Sequence, residues 1–144
     1  MGTFDWGHWS PPQGVDCIPP DTLGFLYKIT HRKTNRFYVG IKQVSKQIKR
    51  PPLKGKTRKR KHIVDSDWRK YCSSSGEIAE DIKQNESDYA FEILSFHPSK
   101  SLLKYAEAEF LVTHNCLFDT NCFNQMFNYR LRFSKLSVIK TNHC

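Results

Sequence analysis

Two runs of strict alternation, separated by six polar residues, constrain this chain more than any other feature. Phe25, Tyr27 and Ile29 alternate with Leu26, Lys28 and Thr30, and Phe37, Val39 and Ile41 alternate with Tyr38, Gly40 and Lys42. A period of two places successive side chains on opposite faces, so the pair predicts a β-hairpin. Its turn, residues 31–36, holds Thr34 and Asn35, whose side chains bond back to turn backbone, and neither strand contains proline. Residues 89–96 are rich in aromatic and branched side chains and predict a third strand, stopped by Pro98.

Helical signals fill the spaces between. Ser66 is placed to cap a short helix carrying Trp68 and Tyr71, and the run Ser73, Ser74, Ser75, Gly76 breaks it. A second helix, residues 77–84, presents Ile78, Ala79 and Ile82. A third, capped by Ser99 and running to His114, presents Leu103, Ala106, Phe110 and Leu111 on one face. Strand, strand, helices, strand, helix describes a small α/β domain around a short sheet. Residues 1–22, with four prolines, Trp6 and Trp9, show no period and predict an irregular arm tied down by its aromatics. The body spans residues 23–127, with Phe118, Phe123, Met126 and Phe127 as late core contacts, and residues 128–144 form a basic tail. The length of 144 residues suits one domain of this kind.

Charge narrows the partner. The chain carries 23 Lys and Arg against 14 Asp and Glu, a net +9, and the excess is concentrated. Residues 42–70 hold twelve basic side chains against Asp65 and Asp67, so the remainder is near neutral and the basic segment alone calls for an anion. Pro51, Pro52 and Gly55 interrupt it, which reads as a basic loop over 42–64. Lys42, Lys54, Lys56, Arg58, Lys59, Lys61 and Arg69 are the candidates for contacts with nucleic-acid phosphates. A solvated charged face is the plainer alternative. No apolar run approaches the roughly 20 residues of a membrane span, and the start lacks a basic and apolar leader, so a cytoplasmic protein with no membrane partner is expected. Five scattered cysteines fit a reducing compartment better than a disulfide framework. His114, Cys116 and Cys122 lack the usual paired spacing of zinc ligands, which leaves a zinc-stabilised domain as the weakest reading.

Glu107 breaks the rule of its helix. At about 100° per residue it falls between Leu103 and Leu111, inside the apolar stripe, whereas Glu109 projects away. An acid so placed forms a structural ion pair at the rim of the stripe or serves a site.

The hairpin bears on that choice. Gly24-Phe25-Leu26-Tyr27 on one strand and Tyr38-Val39-Gly40 on the next resemble the paired triplets of the GIY-YIG nuclease family, with Gly24 one place earlier than the first triplet has it. Together with the order of Pro51-Pro52, Ser66-Asp67-Trp68, Tyr71 and Ser73-Ser74, the chain is most similar to the bacteriophage-encoded, homing-type (Seg-like) members. The resemblance implies a three-stranded, mainly antiparallel sheet flanked by helices and a metal-dependent endonuclease acting on DNA in the host cytoplasm. It implies Mg²⁺, replaceable by Mn²⁺, held by Glu107, and no small-molecule cofactor beyond the metal. Tyr27 would be the general base, and Tyr38 and a loop arginine, Arg60 before Arg58, would hold the phosphate. His62 would be the family's histidine, Gly40 would allow close approach, and Asn124 would fix the site by hydrogen bonding. The competing reading is a module that binds nucleic acid through the basic loop without cutting it.

Overall fold

The alternation around Tyr27 forms the middle of the sheet. In the computed structural model, which describes residues 3–73 and 75–124, β1 (Gly24–His31) lies between β2 (Phe37–Gln43) and a third antiparallel partner, Tyr89–His97. The β1–β2 turn closes with the His31 N–H donating to the Arg36 carbonyl at 2.7 Å, and Asn35 takes a left-handed conformation there that asparagine tolerates. Met126, Phe127 and the basic tail of 128–144 lie outside the described residues.

The basic segment departs from expectation. It is not a loop over 42–64 but a second, two-stranded antiparallel sheet, β3 (Ser45–Arg50) and β4 (Arg60–Asp65), with only residues 51–59 left as its turn. Ile48, Ile63 and Val64 supply the branched residues that favour extended backbone, and Pro51 and Pro52 fall at the turn, where their missing N–H groups cost no ladder bond. At the end next to the body the Ser66 N–H donates to the Val44 carbonyl at 3.0 Å. Ser66 therefore does not cap a helix; its hydroxyl donates to the Gln43 carbonyl, and a single 3₁₀ turn, Trp68–Lys70, follows Asp67 instead.

The remaining elements are α1 (Gly76–Gln84), β5 (Tyr89–His97) and α2 (Lys100–Thr113), close to the predicted spans. Ser99 caps α2 as expected, its hydroxyl accepting from the Leu102 N–H at 3.2 Å.

The sheet has a different core on each face. On one, Phe25, Tyr27, Ile29, Phe91 and Ile93 pack with Ile78 and Ile82 of α1, Trp68, and Trp9 from the arm. On the other, Leu26 and Val39 pack with Leu111 of α2 and Cys116. The arm is thus part of the core: Trp9 is fully enclosed and its indole N–H donates to the Trp68 carbonyl at 2.6 Å. Opposite Leu26 and Tyr27, β5 carries an extra residue, a bulge that breaks the register between Ser95 and Ile93 and shifts the strand beside Tyr27.

Candidate active site

Tyr27 and Gly40 are directly opposite on the β1–β2 ladder. The Tyr27 ring lies over the glycine so closely that a Cβ at position 40 would stand 2.5 Å from the phenol oxygen and 3.0 Å from Tyr38 Cε1. No other residue type leaves that space to the ring. Trp9, with its ring centre 5.1 Å from that of Tyr27, closes the other side, so the ring has nowhere to retreat. Gly40→Ala is accordingly expected to destabilise the fold by about 1–3 kcal/mol through overpacking, read as a lower urea midpoint with an unchanged slope; an unchanged midpoint would mean that the ring moves freely.

Three phenols meet at this point. The Tyr27 ring centre is 6.2 Å from that of Tyr38 and 6.1 Å from that of Tyr71. The Tyr27 hydroxyl is enclosed, and the Ser73 and Tyr71 side chains face it without completing a hydrogen bond among the described residues. Burial, reinforced by the neighbouring Tyr38 and Tyr71, pushes the phenol well above its ordinary value of 10.0, so it is neutral at physiological pH. An enclosed hydroxyl without a partner costs free energy in the resting protein, which makes Tyr27 the conspicuous polar group of this core. Tyr71 and Ser73, named in the sequence as part of a short helix, its break and the family resemblance, are given no place beside Tyr27 there. They arrive because the Trp68–Lys70 turn docks on the sheet.

Lys42, two residues beyond Gly40, has its ammonium 4.1 Å from the centre of the Tyr71 ring and 2.8 Å from Asp67 Oδ1. That pairing lowers the Asp67 carboxyl from its ordinary range. The arginines lie elsewhere. Arg69 is spent on structure: its guanidinium sits 4.4 Å from the Trp68 ring centre, and its Nε donates to the Asp5 carbonyl at 2.8 Å. Arg60 is exposed at the outer end of the ribbon, opposite Arg50, with Nε donating to the Pro51 carbonyl at 3.2 Å. At about 3.4 Å per residue, the five steps from Asp65 put it about 17 Å along the ribbon, and the groups acting on the Tyr27 phenol are Tyr38, Tyr71 and Ser73. His62 lies on the same ribbon opposite Ile48, its Nε2 enclosed and without a partner among the described residues. Arg58, Lys54, Lys56, Lys59 and Lys61 are exposed at the turn and outer end.

Glu107 and Asn124 approach from the opposite side of β2, an edge strand. Ala106, Glu109 and Phe110 line a groove with Leu94, Ser95 and His97 of β5. Glu107, about 100° further round α2 from Ala106, does not line that groove and lies on the helix that packs against β1, β2 and β5. It is half-buried while Glu109 is exposed, as the helical wheel requires. Asn124 grips β2 itself: Oδ1 accepts from the Val39 N–H at 2.9 Å and Nδ2 donates to the Val39 carbonyl at 2.8 Å. The side chain thereby completes the hydrogen bonding of the residue between Tyr38 and Gly40, and Phe123 N–H adds a 2.7 Å bond to the Phe37 carbonyl. His114 and Cys116 are turned to local tasks, the His114 ring on the Phe110 carbonyl at 3.0 Å and the thiol in the core with its acidity weakened to a value of about 11.

A three-stranded antiparallel sheet with tyrosines converging over a strand glycine, and a helix carrying a half-buried glutamate across its other face, is the frame of a GIY-YIG nuclease domain. Residues 9–130 match the family described as "Putative endonuclease segE, GIY-YIG domain", and the chain belongs to that family. The match begins at Trp9, the arm residue that reaches the core. No curated protein and no solved structure matches the chain.

Proposed function

We propose that this endonuclease is a Mg²⁺-dependent enzyme that hydrolyses DNA phosphodiester bonds, of the phage homing type, with Mn²⁺ able to replace Mg²⁺. The observation that carries the reading is the closure of the Tyr27 hydroxyl over Gly40 beside Tyr38: a costly polar arrangement in a small core that packing alone does not require.

The donor set suits a hard cation. Mg²⁺ takes one or two carboxylates and completes its shell with water and substrate oxygens, and Glu107 is a half-buried carboxylate on the helix that packs against the strand carrying Tyr38 and Gly40. When bound, the cation supplies Lewis-acid stabilisation of charge on the phosphoryl group. The chain's own residues do the rest. Tyr27, held neutral by burial, acts as a relay that takes the proton of the attacking water as its own passes to the neighbouring Ser73 or Tyr71 hydroxyl, which releases its proton to solvent, because a standing phenolate is excluded. Tyr38 donates to a phosphoryl oxygen, and Lys42 neutralises charge beside Tyr71 where a loop arginine was expected. Asn124 keeps β2 in register so that Tyr38 and Gly40 stay aligned.

Supercoiled plasmid at low salt tests the reading. Relaxed or linear product is expected with Mg²⁺ or Mn²⁺, and none after EDTA. Retention of plasmid without cutting in either metal would overturn catalysis and leave a binding module on a nuclease fold.

A further inference from the structure

The β3–β4 ribbon carries its charge in an unusual way. Arg50 is opposite Arg60 and Lys49 is opposite Lys61, two like-charge pairs in adjacent positions of an antiparallel ladder. Such pairs repel in the free protein. Adjacent pairs of a strand point to opposite faces, so the ribbon is cationic on both. A surface laid along one phosphate backbone needs charge on one face only; a ribbon with phosphates on both sides needs it on two.

The ribbon also carries side chains that phosphate contact does not explain. Next to the Lys49–Lys61 pair on the same face stands the pair Gln47–Ile63, with Gln47 exposed and Ile63 77 % exposed. Ile63 favours the extended backbone of β4, yet most of its apolar side chain is left in water, open to a partner. Between this face and the turn lies an open depression of about 690 Å³ lined by Lys49, Arg58, Lys59 and Lys61.

We infer that the β3–β4 ribbon enters the major groove of B-form DNA, with Lys49, Lys61, Arg50 and Arg60 on the flanking phosphates and the Gln47–Ile63 pair against the edge of an A·T base pair. The inference rests on the nuclease reading only for the choice of DNA. The dimensions agree: strands about 4.8 Å apart form a ribbon that a groove about 12 Å wide admits. The chemistry agrees too. A glutamine amide matches the N6 donor and N7 acceptor of adenine, and an apolar side chain meets the thymine methyl group. The deep, narrow major groove of A-form RNA admits neither.

The test is duplex binding in EDTA, where no cutting occurs, with a fluorescent A·T-rich 20-mer and the same duplex carrying uracil in place of thymine. Uracil lacks only the methyl group in the major groove. Wild type is expected to bind the thymine duplex about fivefold more tightly, and Ile63→Ala to bind both alike. Lys49→Ala/Lys61→Ala is expected to weaken both duplexes equally and to lower the slope of log affinity against log salt by about two. All three positions are exposed and outside the core, so unchanged melting temperatures confirm that the variants fold. Equal wild-type affinity for the two DNA duplexes, or for duplex RNA of the same sequence, overturns the inference. Plasmid cutting in Mg²⁺ separates the two proposals: cutting without the thymine preference removes the ribbon's role alone, and the preference without cutting removes catalysis alone.

Discussion

Glu107→Ala is expected to lower plasmid cleavage by about a thousandfold or more, because it removes the carboxylate anchor of a cation that contributes several kcal/mol to the transition state. DNA affinity in EDTA should stay within about threefold of wild type, since the cations that meet phosphate are on the ribbon and beside Tyr71, and loss of an acid slightly favours a polyanion. Alanine is the best helix former, so α2 itself is not weakened by backbone preference. Glu107→Gln keeps the length and hydrogen-bonding capacity of the side chain while removing its charge. If the glutamate serves as metal anchor, the glutamine variant is as inactive as the alanine variant and melts like wild type. If Glu107 is only a structural partner at the rim of the apolar stripe, Gln restores activity and Ala lowers the melting temperature. Cleavage by Glu107→Gln at wild-type rate would remove the metal role.

What the sequence made legible follows the strength of each periodic signal. β1 and β2 alternate apolar and polar residues with Tyr27, Val39 and Gly40 in register, and a period of two has one structural meaning where a core lies on each face. α2 carries Leu103, Ala106, Phe110 and Leu111 at helical spacing with an acid among them, so the partial burial of Glu107 against the exposure of Glu109 could be read before any fold was known. The ribbon was missed for the converse reason. Ile48, His62 and Val64 on one face are half-buried and no ribbon residue is fully buried, so Lys46, Gln47, Lys49 and Lys61 occupy positions that a core strand fills with apolar side chains, and composition pointed to a loop. Arg60 was read with it as a loop residue and stands instead on a strand, at the outer end of the ribbon opposite Arg50. Tyr71 and Ser73 join Tyr27 through the docking of one 3₁₀ turn beneath Trp9, a tertiary event with no local period. Ser66 had the right residue type for a cap and found a better acceptor in the Gln43 carbonyl.

Tyr27→Phe is expected to separate activity from stability most sharply. The substitution removes one oxygen from an enclosed site where it completes no hydrogen bond among the described residues, so the fold should be unchanged or gain up to about 1 kcal/mol. Cleavage should fall by about 10²–10⁴-fold, the range for loss of a positioned proton-transfer group. The same phenol leaves a signature in alkali. Its acidity is pushed above 10.0 in the folded protein, mainly by burial and then by Tyr38 and Tyr71, while the unfolded chain ionises near the ordinary value. Above pH 10 the unfolded state therefore releases a proton that the folded state retains, and stability falls as pH rises through that range. Tyr89, also raised by burial and by its bond to Asp81, contributes the same slope in both proteins. Urea midpoints at pH 9 and pH 11 should therefore drop for wild type and drop less for Tyr27→Phe. A variant that cuts within threefold of wild type would show that Tyr27 is a packing residue. A variant that is inactive but equally sensitive to alkali would show that the phenol reaches solvent in the resting protein, and the relay would then have to be replaced by direct ionisation of an accessible tyrosine.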